Sequence, residues 1–316
     1  MENFSRRDLF KRAAALSATL AGAVGNPTLF ARPSGPHLDF PTGPRDRLAV
    51  ASYPFRAFIE RPGARSRDRK QPGMDLEEFA GMVVKRFNVR NIEPLSTHFR
   101  SLEMGYVHEL RESVEKAGAH VINIPVDELR SFYDPDAGRR KEAVRAAKRW
   151  VDIAAALGSP SLRTHIVNVS KTAPDARLTS DSLREVAEYG GEKEVVINLE
   201  NDDRVSEDPF FLVKVIEEVN NPYLHALPDF GNSMLTGDPK YNFDGLTAMF
   251  KHAYNISHMK DAEVDNGKLV VVDVGKTFEI AKAAGYRGYF SMEWEGQGGP
   301  YEGTQKLIDL SLKYLA

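Results

Sequence analysis

The chain contains 316 residues, with 42 lysines and arginines against 45 aspartates and glutamates, 42% hydrophobic residues and no cysteine. This length and apolar content suffice for one large domain with a single core, or for two small ones. The net charge of −3 argues against a nucleic-acid-binding protein, and the lack of cysteine excludes disulfide bonds, thiolate metal ligands and a cysteine nucleophile.

Residues 1–31 have the features of an export signal. The pair Arg6-Arg7 and Lys11 precede a stretch over residues 13–25 that carries no charge. A basic segment followed by a short, weakly apolar one is typical of secretory signals, and the paired arginines resemble the twin-arginine type. The alternative is an ordinary amphipathic N-terminal helix. We therefore expect the twin-arginine export machinery as a partner, and a periplasmic or otherwise exported protein without stable membrane insertion.

A proline-rich linker is predicted over residues 32–46. From residue 47, short apolar runs alternate with segments whose apolar residues recur at helical spacing, and this alternation indicates βα units. The fourth helix is predicted to be short, near Ser182–Tyr189, because Gly190 and Gly191 follow it. The predicted strands are Leu48–Phe55, Val89–Leu95, His120–Val126, Ser161–Val167, Val195–Asn201, Leu224–Phe230, Asn255–Lys260 and Gly288–Trp294. Eight units match a single (β/α)8 TIM barrel over residues 47–316, since about 250 residues is typical. The competing fold, a doubly wound sheet, would show a glycine-rich phosphate turn, and none follows the first two predicted strands.

Four consecutive predicted strands each end on one residue that could bind a metal. These residues are Glu200, Asp229, His258 and Glu293, spaced 29, 29 and 35 positions apart. Because functional side chains of such barrels gather at the carboxyl ends of the strands, we expect the four to converge. Three carboxylates and one imidazole favour Mn²⁺ or Mg²⁺, which can polarise a carbonyl while a nearby carboxylate removes a proton from the adjacent carbon. Each residue alone could instead be a helix cap, an ion-pair partner or a satisfied barrel histidine.

This ordered set resembles the xylose isomerase-like barrels, the sugar phosphate isomerase/epimerase superfamily, over about residues 48–316. The resemblance implies one divalent metal ion held by the four residues, with Mn²⁺ first and Mg²⁺, Co²⁺ or Zn²⁺ as alternatives. It also implies that Glu200 and Glu293 act as acid and base on opposite faces of a sugar or keto-sugar substrate. The reaction implied is isomerisation, epimerisation or elimination through an enediolate.

Two positions depart from the pattern of the ketose 3-epimerases in this superfamily. Asn232 stands where those enzymes have a substrate-binding histidine, and Val264 stands where they have an arginine. The run from His258 to Asp261, which includes Lys260, looks more like inosose dehydratase and related lyases. Isomerisation, epimerisation and dehydration therefore stay open, and proton abstraction next to a carbonyl is common to all three.

Further residues near the predicted strand ends are candidates for catalysis or substrate binding. They are Glu93, Arg163, His165, Asn232, Lys260 and Trp294. Lys260 could stabilise an enolate and Arg163 could clamp a substrate oxygen, or both could form ion pairs with the strand-end carboxylates. Glu93 and His165 could bind substrate or belong to buried polar networks. Trp294 could stack on a sugar ring or simply pack in the protein.

Three other functions fit parts of the pattern. A metal-independent retaining glycoside hydrolase would use Glu200 and Glu293 as acid/base and nucleophile. An abasic-site endonuclease shares the superfamily fold but needs a histidine-rich metal cluster and a basic groove, which the acidic balance disfavours. A periplasmic sugar-binding barrel would keep the site without catalysis. The sequence leaves a homo-oligomer open.

Overall fold

The computed structural model of the protein describes residues 35–61 and 67–316. The predicted export signal lies outside these residues and stays a prediction. Part of the predicted linker, by contrast, contacts the domain: the Tyr254 hydroxyl donates to the Pro36 carbonyl (2.7 Å) and accepts from the Leu38 amide (3.1 Å). Phe40 packs edge-on against Tyr254, with ring centroids 5.3 Å apart. These contacts fix the described part of the segment to the domain.

The wall of the domain is a set of parallel strands, and its third strand is split into two short pieces. The strands are β1 (Leu48–Ala51), β2 (Asn91–Glu93), β3 (His120–Val121), β4 (Pro125–Val126), β5 (Ser161–Thr164), β6 (Val196–Glu200), β7 (Leu224–Leu227), β8 (Ile256–Met259), β9 (Ala262–Asp265), β10 (Lys268–Val271) and β11 (Tyr289–Met292). They pair in parallel in the orders β3-β2-β1-β11-β8 and β4-β5-β6-β7, while β9 and β10 form a separate antiparallel hairpin. Backbone bonds from His258 to Pro228 and from Phe230 to His258, each 3.1 Å, join β7 to β8.

Eight α-helices within the described ranges alternate with these strands. They are α1 (Leu76–Phe87), α2 (Met104–Lys116), α3 (Ala137–Leu157), α4 (Ala176–Glu192), α5 (Pro209–Val219), α6 (Pro239–Phe250), α7 (Val274–Ala283) and α8 (Pro300–Leu315). Asp75 starts α1 with a capping box, and Gly158 ends α3 in the left-handed conformation (φ 80°). The predicted (β/α)8 barrel is confirmed. None of the helices described is long and apolar enough to cross a membrane.

The barrel interior below the strand ends is polar. Asn255 donates to the Ser161 hydroxyl (2.8 Å), which donates to Asn123 Oδ1 (2.6 Å), and Asn198 donates to Asn255 Oδ1 (3.1 Å). All four side chains are buried. Asn123 Nδ2 then donates to Glu93 Oε1 (2.7 Å). This polar column therefore reaches from the interior to the carboxylate at the end of β2.

His98, in the loop after β2, is a buried neutral histidine. The Ser52 hydroxyl accepts a bond from the Leu95 amide (2.8 Å) and lies 2.8 Å from His98 Nδ1, to which it can donate its own hydrogen while that nitrogen is unprotonated. Burial lowers the pKa of His98 to about 3, and the positive charges of Arg61 and Arg56 act in the same direction. Protonation of Nδ1 would also break its bond to Ser52.

Acidification should therefore destabilise the fold through His98. Its pKa is about 3 in the folded state against an ordinary 6.5, so the unfolded state binds a proton first as the pH falls. The free energy of unfolding then drops between pH 6.5 and 3 by about 1.4 kcal/mol per pH unit. His98→Asn keeps an acceptor for Ser52 without titrating, so its loss between pH 7 and 4.5, measured by urea unfolding, should be smaller by about 2–3 kcal/mol. His108→Asn, at an exposed position, should behave like the unaltered protein; equal losses in both variants would contradict this role.

Candidate metal centre and active site

The four predicted ligands converge in the structure. Glu200 ends β6, Asp229 lies just after β7, His258 lies in β8, and Glu293 follows β11. One potential ligand atom from each lies within 4.8 Å of the others, and all four residues are buried. The convergence follows from the barrel itself, because adjacent parallel strands bring their carboxyl ends together.

Asp229 is held by a turn that leaves one carboxylate oxygen free. Its Oδ1 accepts bonds from the amides of Gly231 (2.8 Å) and Asn232 (2.7 Å). Its backbone amide donates to Asn201 Oδ1 (2.8 Å). Oδ2 is buried without a hydrogen bond and lies 3.3 Å from Lys260 Nζ. Burial raises the pKa of Asp229 well above its usual value, and Lys260 opposes this.

His258 is surrounded by carboxylates on both sides of its ring. Nδ1 lies 2.7 Å from Glu200 Oε1 and 3.3 Å from Glu293 Oε2. Nε2 lies 3.0 Å from both oxygens of Glu93, which also accepts from the Ser291 hydroxyl (2.6 Å). Burial would lower the pKa of His258, but the nearby carboxylates raise it well above its usual value. Glu93 thus lies behind His258, where it can fix the orientation of the ring.

Lys260 is a fully buried ammonium within a ring of acids. Its Nζ donates to Glu295 Oε1 (2.5 Å) and Asn232 Oδ1 (2.9 Å), and it lies 3.3 Å from Asp229 Oδ2 and from Glu293 Oε2. Burial would lower its pKa, but these carboxylates raise it well above the usual value. The lysine is therefore charged and joins two of the four predicted ligands.

Arg163 holds Glu200 from the opposite side. Its Nε lies 2.9 Å from Glu200 Oε2, and its Nη1 donates to Asp127 Oδ1 (2.9 Å). Burial would lower the pKa of Arg163, but Glu200, Asp127 and Asp202 raise it well above the usual value. As a result, the guanidinium orients a predicted ligand.

Among the described residues, His165 and Trp294, the other two predicted substrate-binding residues, form no hydrogen bond or ion pair with the four predicted ligands. His165 follows β5, with Nδ1 2.9 Å from the buried Glu207. Trp294 packs against α8, where a Cβ added to Gly303 would lie 2.3 Å from the indole ring. The indole is therefore placed on the helix side of the strand, next to the loop over residues 296–299, which lines the same cavity.

The residues present fit a divalent cation. Three carboxylates and an imidazole are ligands for Mn²⁺ or Mg²⁺. Asp229 Oδ2 is a buried oxygen without a hydrogen bond, which a cation would satisfy. Glu93 can accept the Nε2 hydrogen of His258 and so leave Nδ1 as the ligand atom, the usual arrangement behind a metal-bound histidine.

The family described as Xylose isomerase-like TIM barrel matches residues 83–315 of the chain. The protein belongs to this family. No curated protein matches the chain. This xylose isomerase-like barrel is similar to a protein of the same fold from Mycobacterium smegmatis solved in complex with magnesium, with 16% identity, a TM-score of 0.64 and coverage of 85% of this chain and 98% of that one.

Two solved epimerases are also similar to this barrel. One is 3-keto-D-glucoside 4-epimerase from E. coli, with 16% identity, a TM-score of 0.61 and coverage of 85% of this chain and 98% of that one. The other is D-psicose 3-epimerase with D-tagatose from Clostridium cellulolyticum, with 15% identity, a TM-score of 0.63 and coverage of 85% and 96%. At these identities the likeness shows the fold.

Among the acidic residues that contact the predicted ones but were not themselves predicted are Glu207, Glu263 and Glu295. Glu295 contacts Lys260 from the loop after β11, and Glu263, in β9, lies 3.8 Å from the same ammonium. Glu295 lies two positions after Glu293, so strand alternation was a usable signal. Glu207 lies in a loop and Glu263 in the extra hairpin, where no periodic pattern indicates which way a side chain points.

Proposed function

We propose that the protein is a divalent-metal-dependent enzyme that abstracts a proton next to the carbonyl of a sugar or keto-sugar, giving isomerisation or epimerisation. The observation that carries this is the buried quartet, in which Asp229 Oδ2 lacks a hydrogen bond while Glu200 and Glu293 contact the same nitrogen of His258. Glu200, Asp229, His258 and Glu293 would hold the cation. When bound, it would polarise the carbonyl and stabilise negative charge on the substrate oxygens.

The protein's own residues supply the proton transfers in this proposal. One glutamate, Glu200 or Glu293, takes the proton from the carbon beside the carbonyl, the C–H electron pair forms a carbon–carbon double bond, and the carbonyl π pair moves onto oxygen. Return of a proton to the same carbon from the other glutamate gives the epimer, and return to the neighbouring carbon gives the isomer. Lys260 offers a fixed positive charge where negative charge develops on oxygen.

The similar structures support a proposal for the substrate class. Solved proteins of this fold include a 3-keto-D-glucoside 4-epimerase, D-psicose 3-epimerases and an L-ribulose 3-epimerase. We propose a neutral keto-sugar or keto-glycoside as the substrate, and Mn²⁺ as the preferred ion. We also propose that residues 1–31 direct export, which would place the reaction outside the cytoplasm.

A retaining glycosidase is the less favoured alternative. Such an enzyme needs its two carboxylates about 5–5.5 Å apart, on either side of a glycosidic bond. Here Glu200 Oε1 and Glu293 Oε2 lie 2.7 and 3.3 Å from the same imidazole nitrogen, and a ligand atom of Asp229 lies within 4.8 Å of them. This arrangement suits a shared ion.

Deuterium exchange tests the proposal directly. In D₂O, the Mn²⁺-loaded protein should replace carbon-bound hydrogen by deuterium in at least one sugar of a panel. The panel is D-fructose, D-psicose, D-tagatose, L-ribulose and a 3-keto-D-glucoside, and NMR would measure the exchange. Glu200→Gln and Glu293→Gln should each slow this exchange about 10²–10⁴-fold, because each removes a proton-transfer group. Glu115→Gln, which breaks only an exposed pair with Arg111, should leave the rate unchanged. Absence of exchange in every sugar, with metal bound, would refute the proposed chemistry.

A further inference from the structure

A histidine–carboxylate pair lies beside the predicted metal ligands without belonging to them. His165 Nδ1 lies 2.9 Å from Glu207 Oε2 and 3.8 Å from Asp202 Oδ2. Arg163, two residues earlier in the chain, lies 2.9 Å from Glu200 and 3.7 Å from the same Asp202 oxygen. The pair therefore adjoins the quartet through shared neighbours.

Glu207 is held in one orientation by the backbone. Its side chain is fully buried. Oε1 accepts from the Ile166 amide (2.6 Å) and Oε2 accepts from the Asp203 amide (3.0 Å). A buried carboxylate that accepts two backbone bonds cannot turn away from its histidine without losing them. Burial raises the pKa of Glu207, and His165 opposes that shift.

A second metal ion is a poor account of this cluster. Both oxygens of Glu207 already accept backbone hydrogens, so neither is left without a hydrogen bond as Asp229 Oδ2 is. A carboxylate that fixes one nitrogen of an imidazole, by contrast, is the arrangement by which enzymes orient a histidine for proton transfer.

The second nitrogen of His165 is open. Within residues 35–61 and 67–316, Nε2 forms no hydrogen bond, and the side chain is 22% exposed. Because Nδ1 lies 2.9 Å from the Glu207 carboxylate, Nε2 is the atom left to meet a ligand. We propose that His165, oriented by Glu207, is a catalytic residue that transfers a proton through Nε2 to and from a substrate oxygen.

This proton transfer rests on the proposed function. A glutamate of the quartet takes the proton from carbon, the C–H electron pair forms the carbon–carbon double bond, and the carbonyl π electrons move to oxygen. His165 Nε2–H gives its proton to that oxygen, so a neutral enediol forms and the imidazole becomes neutral. In the reverse direction the oxygen returns its proton to Nε2. Glu207 is then a positioning residue, since it acts only through His165.

NMR of the substrate-free protein tests the pair itself. The charged groups facing His165 are Glu207, Asp202, Asp203 and Arg163. Burial lowers its pKa, but the bond and charge of Glu207 outweigh burial and raise it above the ordinary value. Glu207→Gln should therefore lower the pKa of His165 in histidine ring spectra and weaken its preference for the Nδ1–H tautomer.

The matched control is Glu217→Gln. Glu217 lies 3.4 Å from His252 in an exposed pair, so its removal should leave the His165 signal unchanged. An unaltered His165 pKa in Glu207→Gln would overturn the positioning role of Glu207, whatever the reaction proves to be.

Kinetics test the catalytic role. His165→Gln should bind Mn²⁺ as the unaltered protein does, because His165 is not a ligand, yet lower kcat about 10²–10⁴-fold on whichever panel sugar the unaltered protein turns over. The pH profile of kcat should lose the limb that belongs to His165. Unchanged kcat, or loss of Mn²⁺ binding, would overturn the role. If no panel sugar reacts with the unaltered protein, the proposed function fails and the catalytic role with it, while the NMR result still decides the pair.

Discussion

Asp229→Asn is expected to abolish stoichiometric binding of Mn²⁺ and reduce turnover below detection. Asparagine keeps Oδ1 as acceptor for the amides of Gly231 and Asn232, so the turn after β7 is preserved. It replaces Oδ2, the buried oxygen without a hydrogen bond, by an amide nitrogen that cannot bind a cation. Loss of groups behind a ligand already weakens metal binding about 10–100-fold, so loss of a ligand should exceed that. Elemental analysis and Mn²⁺ titration would measure it.

Asp208→Asn is the matched control. Its Oδ1 also accepts two backbone amides, from Phe210 and Phe211, at the start of α5, but it lies outside the quartet. This variant should keep full metal content. Equal metal content in Asp229→Asn and the unaltered protein would mean that the ligand assignment is wrong.

Lys260→Met should lower the free energy of unfolding of the metal-free protein by about 3–5 kcal/mol. The substitution removes the only ammonium that, among the described residues, contacts the carboxylates of Asp229, Glu293 and Glu295. Breaking a buried ion pair on one side leaves uncompensated charge in a poorly solvated place, which is why the loss is large. Saturating Mn²⁺ should recover part of it, because an ion that binds only the folded state stabilises that state. Urea unfolding with EDTA or with Mn²⁺ would measure both.

Two further variants test whether the loss of stability comes from the buried charge. Lys240→Met breaks a pair with Asp244 in which the lysine is 80% exposed, and it should change stability by less than about 0.5 kcal/mol. Lys260→Met combined with Glu295→Gln removes a charge of each sign and should be more stable than Lys260→Met alone. If Lys260→Met were as mild as Lys240→Met, the buried network would not be holding the site.

The barrel and the convergence of its ligands could be predicted because both depend on local, repeated patterns. Glu200 and Glu293 lie at or just after strand ends, and strand ends are readable from apolar runs. The length of α4 was predicted wrongly. The helix runs through Gly190 to Glu192, and that glycine serves close packing, since a Cβ there would lie 2.6 Å from the Val195 carbonyl oxygen.

The partners of each site residue could not be predicted, because they depend on loops. In the sequence Glu93 fits either substrate binding or a buried network, and only the fold places it behind His258. No sequence pattern indicated Glu207, because its contact with His165 depends on how the irregular segment after β6 folds back onto the end of β5. The surroundings of Lys260 depend on Glu263 in the β9–β10 hairpin, an insertion that no barrel pattern anticipates.

The polar column inside the barrel also bears on how such an enzyme can change over evolution. Barrel enzymes diversify by exchanging the loops at the carboxyl ends of their strands, while the barrel interior only has to be well packed. Here the polar column in the interior is hydrogen-bonded through Asn123 to Glu93, and Glu93 faces His258. An apolar replacement in the column would leave buried polar groups unpaired and disturb the residue that orients a ligand. We therefore expect descendants to alter specificity through the hairpin and the upper loops, while the interior asparagines are inherited together with the four proposed metal ligands.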